Sequence, residues 1–163
     1  MTKQEDFTDD DWDTVRNTPW VVAIAIVAAD PSGAIATNRE FSALRQLVAA
    51  MDDHGSSNEL IRAVAGDFTA ERDEDEPDPI GMLSEHHSLQ EGALGHCRSV
   101  VAILDRVAEP AESAEFRAWL RDLASAGAET SQEGGFMCIG GTHVSDREQT
   151  ALTELADALG VTL

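Results

Sequence analysis

The chain is short of aromatic residues, lysine and cysteine. Among its 163 residues there is no tyrosine, aromatic residues make up only 5%, and Lys3 is the single lysine. A core must therefore be built from Ala, Leu, Val and Ile, which supply most of the 42% hydrophobic residues. The two cysteines, Cys97 and Cys138, are too few for a disulfide framework, and we expect both to be free thiols.

Positive charge is also scarce. The chain carries 11 basic and 31 acidic residues, which gives a net charge of −20 at pH 7 and a pI of about 4.3. Such a surface repels itself at low salt, and nucleic acid and anionic membranes are poor partners for it. The excess of acid with almost no lysine resembles proteins of salt-accumulating halophiles. The alternative is a merely acidic protein from a high-GC organism.

No hydrophobic run is long enough to span a membrane. The longest purely apolar run, from Trp20 to Ala29, is about half the length that a bilayer-spanning helix needs. The N-terminal stretch MTKQEDFTDDD is polar and acidic, unlike a signal peptide. We therefore expect a cytoplasmic protein with no membrane partner.

The run from Trp20 to Ala29 decides the fold class. Its β-branched residues are compatible with a buried strand. Three features favour a helix instead: Thr18 is a good N-cap, Pro19 fits the first helical position, and several alanines favour helix. Apolar residues on every face place this helix in the centre of the fold.

Capped helical patterns account for most of the remaining chain. They predict a short helix after Thr8 that ends near Asn17, and further helices over Thr37–Met51, after Ser56, over Leu89–Ala108, after Pro110 and after Ser145. Gly160 is expected to end the last of these helices. Residues 69–81 are rich in acids and proline, which is typical of a solvated or disordered loop. The sequence thus predicts an all-α protein, one domain over residues 1–163, folded as a compact bundle of six to seven helices. The expected core contains Trp20, Val21, Ile24, Val27, Leu44, Leu47, Val100, Leu104, Trp119, Leu120, Leu152 and Leu155.

Two segments share a pattern that indicates an internal duplication. Residues 33–51 and 141–159 align in a glycine, a hydroxyl cap, Arg-Glu, Ala-Leu and several later apolar positions. The alternative is coincidence, because capped amphipathic helices share part of this pattern. If the duplication is real, the two helices should superpose by an approximate two-fold, and each should pack on the helix over Trp20–Ala29.

The same residues resemble a known family. The matching residues are Ala29-Asp30, Gly33, Ile35 and Glu40 in the first half, and Gly141, Val144-Ser145, Glu148 and Leu155 to Gly160 in the second. They resemble the TerB-like (tellurite-resistance) helical fold, in which a helix, an acidic turn and a Glu-bearing helix occur in two halves. The resemblance implies a stress-response protein that acts through protein partners or self-association. The last third of the chain also resembles uncharacterised small bacterial helical proteins, which implies no activity.

Two departures from the TerB-like pattern affect its site more than its fold. Pro31-Ser32 separates Asp30 from Gly33, and Gly140 stands where the second acid should be. Asp30 and Glu40 still flank the first turn, which suggests a weak divalent-cation site. The spacing is wrong for an EF-hand, and a simple helix–helix turn is the alternative.

A second group of candidate ligands consists of His86, His87, Glu91 and His96. On a helix, His87 and Glu91 stand at i and i+4 and share one face, whereas His96 lies on a different face. This group suggests a metal-dependent helical-bundle enzyme or metal carrier as the alternative to a non-enzymatic protein. The alternative to a metal site is a polar helix start with Cys97 buried behind it. The chain lacks the repeated Glu-x-x-His pairs of a di-iron bundle, which favours the non-enzymatic interpretation.

Overall fold

A computed structural model describes residues 1–29, 46, 48–49, 56–69, 88–132 and 146–163, and the regular structure within these ranges is helical. After one 3-10 turn over Gln4–Asp6 come α1 (Asp9–Ala29), α2 (Glu59–Thr69), α3 (Leu89–Val107), α4 (Pro110–Gln132) and α5 (Asp146–Leu159). The predicted all-α class is confirmed, and the described residues include no strand.

The start of α1 follows the sequence signals. The hydroxyl oxygen of Thr8 accepts a hydrogen bond from the backbone N–H of Asp11 at 3.2 Å. The rings of Phe7 and Trp12 pack with their centroids 5.6 Å apart, as a hydrophobic staple requires. Three aspartates occupy the first turn, where the helix dipole favours negative charge.

The helix then continues through the point at which two helices were predicted to meet. Thr18 and Pro19 lie inside α1, so the predicted N-cap and helix start are wrong. A proline in a helix interior costs on the order of 3 kcal/mol. The next turns, Val21–Ile26, are buried, and each fully buried Val or Ile contributes about 1.5–3 kcal/mol, so burial outweighs the proline. The two helices predicted on either side of Thr18 are thus one helix. This is one reason why the described ranges contain five α-helices and not the predicted six to seven.

Helix α1 is the centre of the bundle, as its apolar run predicts. It contacts α2, α3, α4 and α5. Most of the expected core is confirmed, namely Val21, Ile24, Val100, Leu104, Trp119, Leu120, Leu152 and Leu155. Trp20 is only half-buried and stacks on Phe68 with ring centroids 4.5 Å apart. Leu44, Leu47 and the side chain of Val27 lie outside the described part of the chain.

The other helix ends are set by local capping. Asn58, not Ser56, caps α2, because its side-chain oxygen accepts from the N–H of Leu60 at 3.0 Å. Pro110 is the first residue of α4, and Gly160 follows α5 with a φ of 68°, both as predicted. A left-handed φ of this kind suits a glycine after a helix.

Several predictions concern residues that the structure does not describe. They include most of the helix over Thr37–Met51, of which residues 46, 48 and 49 are helical, and the acidic loop beyond Thr69. The first half of the predicted repeat therefore cannot be compared with α5. The duplication and the single domain over 1–163 stay predictions.

Candidate functional site

Two members of the second ligand group, Glu91 and His96, lie within the described ranges. Both are on α3, where Ser88 caps the helix by accepting from the N–H of Glu91 at 3.1 Å. Five residues along an α-helix correspond to a rotation of about 140°, so the two side chains point in different directions. Glu91 is exposed, whereas His96 faces α1. The two side chains do not converge on one site.

The imidazole of His96 is hydrogen-bonded to the middle of α1. Its Nε2 lies 3.0 Å from the carbonyl oxygen of Thr14 and 3.3 Å from the hydroxyl oxygen of Thr18. A carbonyl only accepts, so Nε2 carries the proton. The hydroxyl of Thr18 donates to the same carbonyl at 3.0 Å. One backbone oxygen therefore receives two side-chain donors. The helical hydrogen bond that Pro19 removes is the neighbouring one, to the carbonyl of Val15.

Burial controls the protonation of both polar residues at this point of α3. It lowers the pKa of His96, although the hydrogen bond to Thr14 opposes the shift. Burial also raises the pKa of the neighbouring Cys97 thiol to about 12. Because the thiolate is the reactive form, Cys97 is a core residue and not a nucleophile. Its predicted burial is confirmed.

The predicted metal sites are only partly within the described structure. The structure describes residues 1–29, 46, 48–49, 56–69, 88–132 and 146–163. Among these residues, no group of three His, Cys, Asp or Glu side chains is arranged so that it could hold a metal ion. Asp30, Glu40, His86 and His87 lie outside these ranges. The sites at Asp30 with Glu40, and at His87 with Glu91, stay predictions.

A crevice of about 330 Å³ opens where α1 ends and α5 begins. Ala29, which directly precedes Asp30 in the chain, lies on one side of it, and Asp146, which directly follows Ser145, lies on the other. The last described residue before the first turn of the predicted repeat and the first described residue after the second turn therefore line the same crevice.

The polar groups of this crevice include an acceptor without a donor. Gln90 donates through Nε2 to the carboxylate of Glu154 over a long 3.4 Å contact, which links α3 to α5. The side-chain oxygen of Gln90 is buried and has no hydrogen-bond partner among the residues that the structure describes. A buried polar atom left without a partner costs about 1–3 kcal/mol, so a donor supplied from outside would be favourable here. The sequence contains no signal for Gln90, because a glutamine in the first turn of a helix is ordinary.

No protein family, curated protein or solved structure matches the chain. The TerB-like resemblance therefore rests on the sequence pattern alone. Within the described ranges, the helices are too short or too polar to cross a membrane.

Proposed function

We propose that this chain is a non-enzymatic stress-response protein, TerB-like in fold and internally duplicated, that acts by binding a protein partner. The observation that carries this choice is the position of His96. The rival function, a metal-dependent enzyme or carrier, uses His96 as a ligand together with His86, His87 and Glu91. In the bundle, the Nε2–H of His96 is bonded to Thr14 of α1, and Glu91 points elsewhere.

The charge of the chain favours a basic partner. A net charge of −20 attracts a cationic segment at moderate salt, and among the residues that line the crevice Asp146 and Glu154 outnumber Arg147. A Lys or Arg side chain would also supply the donor that Gln90 lacks. Self-association is the second possibility. It brings two chains of charge −20 together and therefore needs high salt.

Partner binding can be tested by titrating the protein with a short lysine- and arginine-rich peptide at moderate salt and measuring the binding by calorimetry. We expect Glu154→Gln to weaken binding more than Glu109→Gln, an exposed acid of equal charge at the other end of the bundle. Equal weakening by the two substitutions would show only non-specific attraction and would argue against the crevice.

The proposal includes weak divalent-cation binding at Asp30 and Glu40. Only the first turn of the repeat keeps an acid, so we expect no cation at Gly141. The test is a calcium and magnesium titration of the Asp30→Asn, Glu40→Gln double variant. Asp9→Asn, Asp10→Asn is the control, because it removes the same charge at the other end of α1. An unchanged titration of the first variant would eliminate the cation site and leave the fold proposal.

Element analysis of protein purified without an affinity tag separates the two functions. We expect no stoichiometric transition metal. Finding one would favour the metal-dependent enzyme or carrier over the interaction protein at once.

A further inference from the structure

A second cavity, of about 300 Å³, lies at the opposite end of the bundle. It is enclosed by the end of α3, the start of α4 and the residues that follow α5. Its apolar wall is formed by Leu104, Ala108, Pro110, Ala114 and Val161. The volume is at the lower end of the range for small-molecule sites, which is about 300–1,000 Å³.

The guanidinium group of Arg117 borders this cavity and is poorly paired. The Arg117 side chain is only 15% exposed. Its Nη2 donates to Asp105 and, at 2.8 Å, to the hydroxyl of Ser113. Its Nε is buried and has no hydrogen-bond partner in the described part of the chain. Its Nη1 lies near Gly160, 3.7 Å from where a Cβ on that residue would be. A guanidinium has five N–H donors, so most of the donors of Arg117 lack an acceptor within the described structure.

Arg121, one turn further along α4, provides a comparison, because each nitrogen of its guanidinium group donates a hydrogen bond. Its Nε and Nη2 donate to Asp122 at 2.9 and 2.7 Å, and its Nη1 donates to the carbonyl of Thr162 at 2.9 Å. All three nitrogens of Arg121, whose side chain is 28% exposed, have acceptors, whereas only one nitrogen of Arg117 has them within the described structure. The Nε of Arg117 is enclosed by protein atoms, so the donor that a molecule in the cavity can meet is Nη1, beside the cavity-lining Gly160.

We propose that this cavity binds a small monocarboxylic acid, with the carboxylate against Arg117 and a short aliphatic tail against the apolar wall. A carboxylate gives a charge-assisted hydrogen bond to guanidinium, stronger than a neutral oxygen would give. The present counter-charge is Asp105, which is 64% exposed and therefore a weak partner. A dianion such as phosphate is disfavoured, because Asp105 is adjacent and the chain already carries −20.

The test is a titration with hexanoate in high salt, in which binding is monitored through the NMR signals of the arginine Nε–H groups. We expect a saturable shift of the Arg117 signal, no shift of Arg121, and no comparable effect of 1-hexanol or formate, which lack the charge or the tail. Arg117→Lys should weaken binding by about tenfold or more, because lysine keeps the charge but loses the planar donors. Arg121→Lys is the matched control and should bind normally.

A second variant keeps the test valid if Arg117→Lys does not fold. Ala114 is exposed at the cavity mouth, so Ala114→Leu should fill the space for the tail without disturbing the helix. It should abolish the hexanoate shift while the circular dichroism stays unchanged. Binding that survives Ala114→Leu, or equal shifts at Arg117 and Arg121, would overturn the proposal.

Discussion

The contact between His96 and α1 should make stability depend on pH in a way that one substitution isolates. Burial lowers the pKa of His96 in the native protein, so its imidazole stays neutral to a lower pH than in the unfolded chain. In the unfolded chain the pKa returns to about 6.5. Above that pH the imidazole is neutral in both states. As the pH falls below it, the unfolded chain takes up a proton that the native state resists, so the free energy of unfolding decreases.

The magnitude has an upper limit. At pH 5.5, about one unit below the ordinary pKa, protonation stabilises the unfolded chain by about 1.4 kcal/mol. His96→Gln removes this titration. At pH 8 the variant should be less stable than the wild type by about 1 kcal/mol, the value of one well-placed buried hydrogen bond. The difference in the free energy of unfolding between the wild type and His96→Gln should therefore shrink to zero, or change sign, as the pH falls from 8 to 5.5.

The assay is urea unfolding followed by circular dichroism across this pH range, at constant high salt. Comparing the two proteins cancels the titration of the many carboxylates that they share. Val64→Ala is the control, because it removes buried contacts of α2 but no titrating group and no partner of His96. It should lower stability by a similar amount at every pH. A constant gap between wild type and His96→Gln would refute the reasoning, since it would mean that folding leaves the pKa of His96 unchanged.

Four further outcomes are expected. The midpoint of thermal unfolding should rise between about 0.1 M and molar KCl, because salt screens a net charge of −20; a flat or falling midpoint would count against halophilic adaptation. Asn58→Ala should lower the free energy of unfolding in urea by about 1–2 kcal/mol, because this buried side chain caps α2 and donates to the carbonyl of Glu112. Gly160→Ala should cost about 1–2 kcal/mol in the same assay, almost all of it from the φ of 68°, since the added Cβ meets no atom closer than 3.7 Å. Pro19→Ala should stabilise the protein by up to about 3 kcal/mol, less the lost burial of the ring, and a destabilised variant would contradict a continuous α1.

Much of the helical architecture follows from local sequence signals. The pattern predicted a helix over Leu89–Ala108, and α3 covers Leu89–Val107. Pro110 and Gly160 mark the ends at which they were expected. These features are predictable because a capping residue acts within one turn, and because an apolar stripe needs only some partner to be buried.

The candidate sites are less predictable, because their chemistry depends on which helices face each other. His96 was grouped with Glu91 because the two are close in the chain, yet the rotation of α3 separates them. The sequence does not show that the carbonyl of Thr14 lies opposite His96. Likewise, Arg117 and Arg121 look equivalent on α4. Arg121 has Asp122 beside it in the chain and the carbonyl of Thr162 opposite it in the fold, whereas the Nε of Arg117 has no partner among the described residues.

The clearest disagreement between sequence and structure is at Thr18 and Pro19. It too arises from the way the helices face each other in the bundle. In isolation these residues are a strong helix start, since one caps and the other tolerates a missing N–H. Inside the bundle, the threonine hydroxyl bonds back to Thr14, and His96 from α3 donates to the same oxygen. The donor from α3 therefore reaches the carbonyl next to that of Val15, which is the one that Pro19 leaves without its helical donor. The predicted helix start and the predicted metal ligand are therefore parts of one structural contact between α1 and α3.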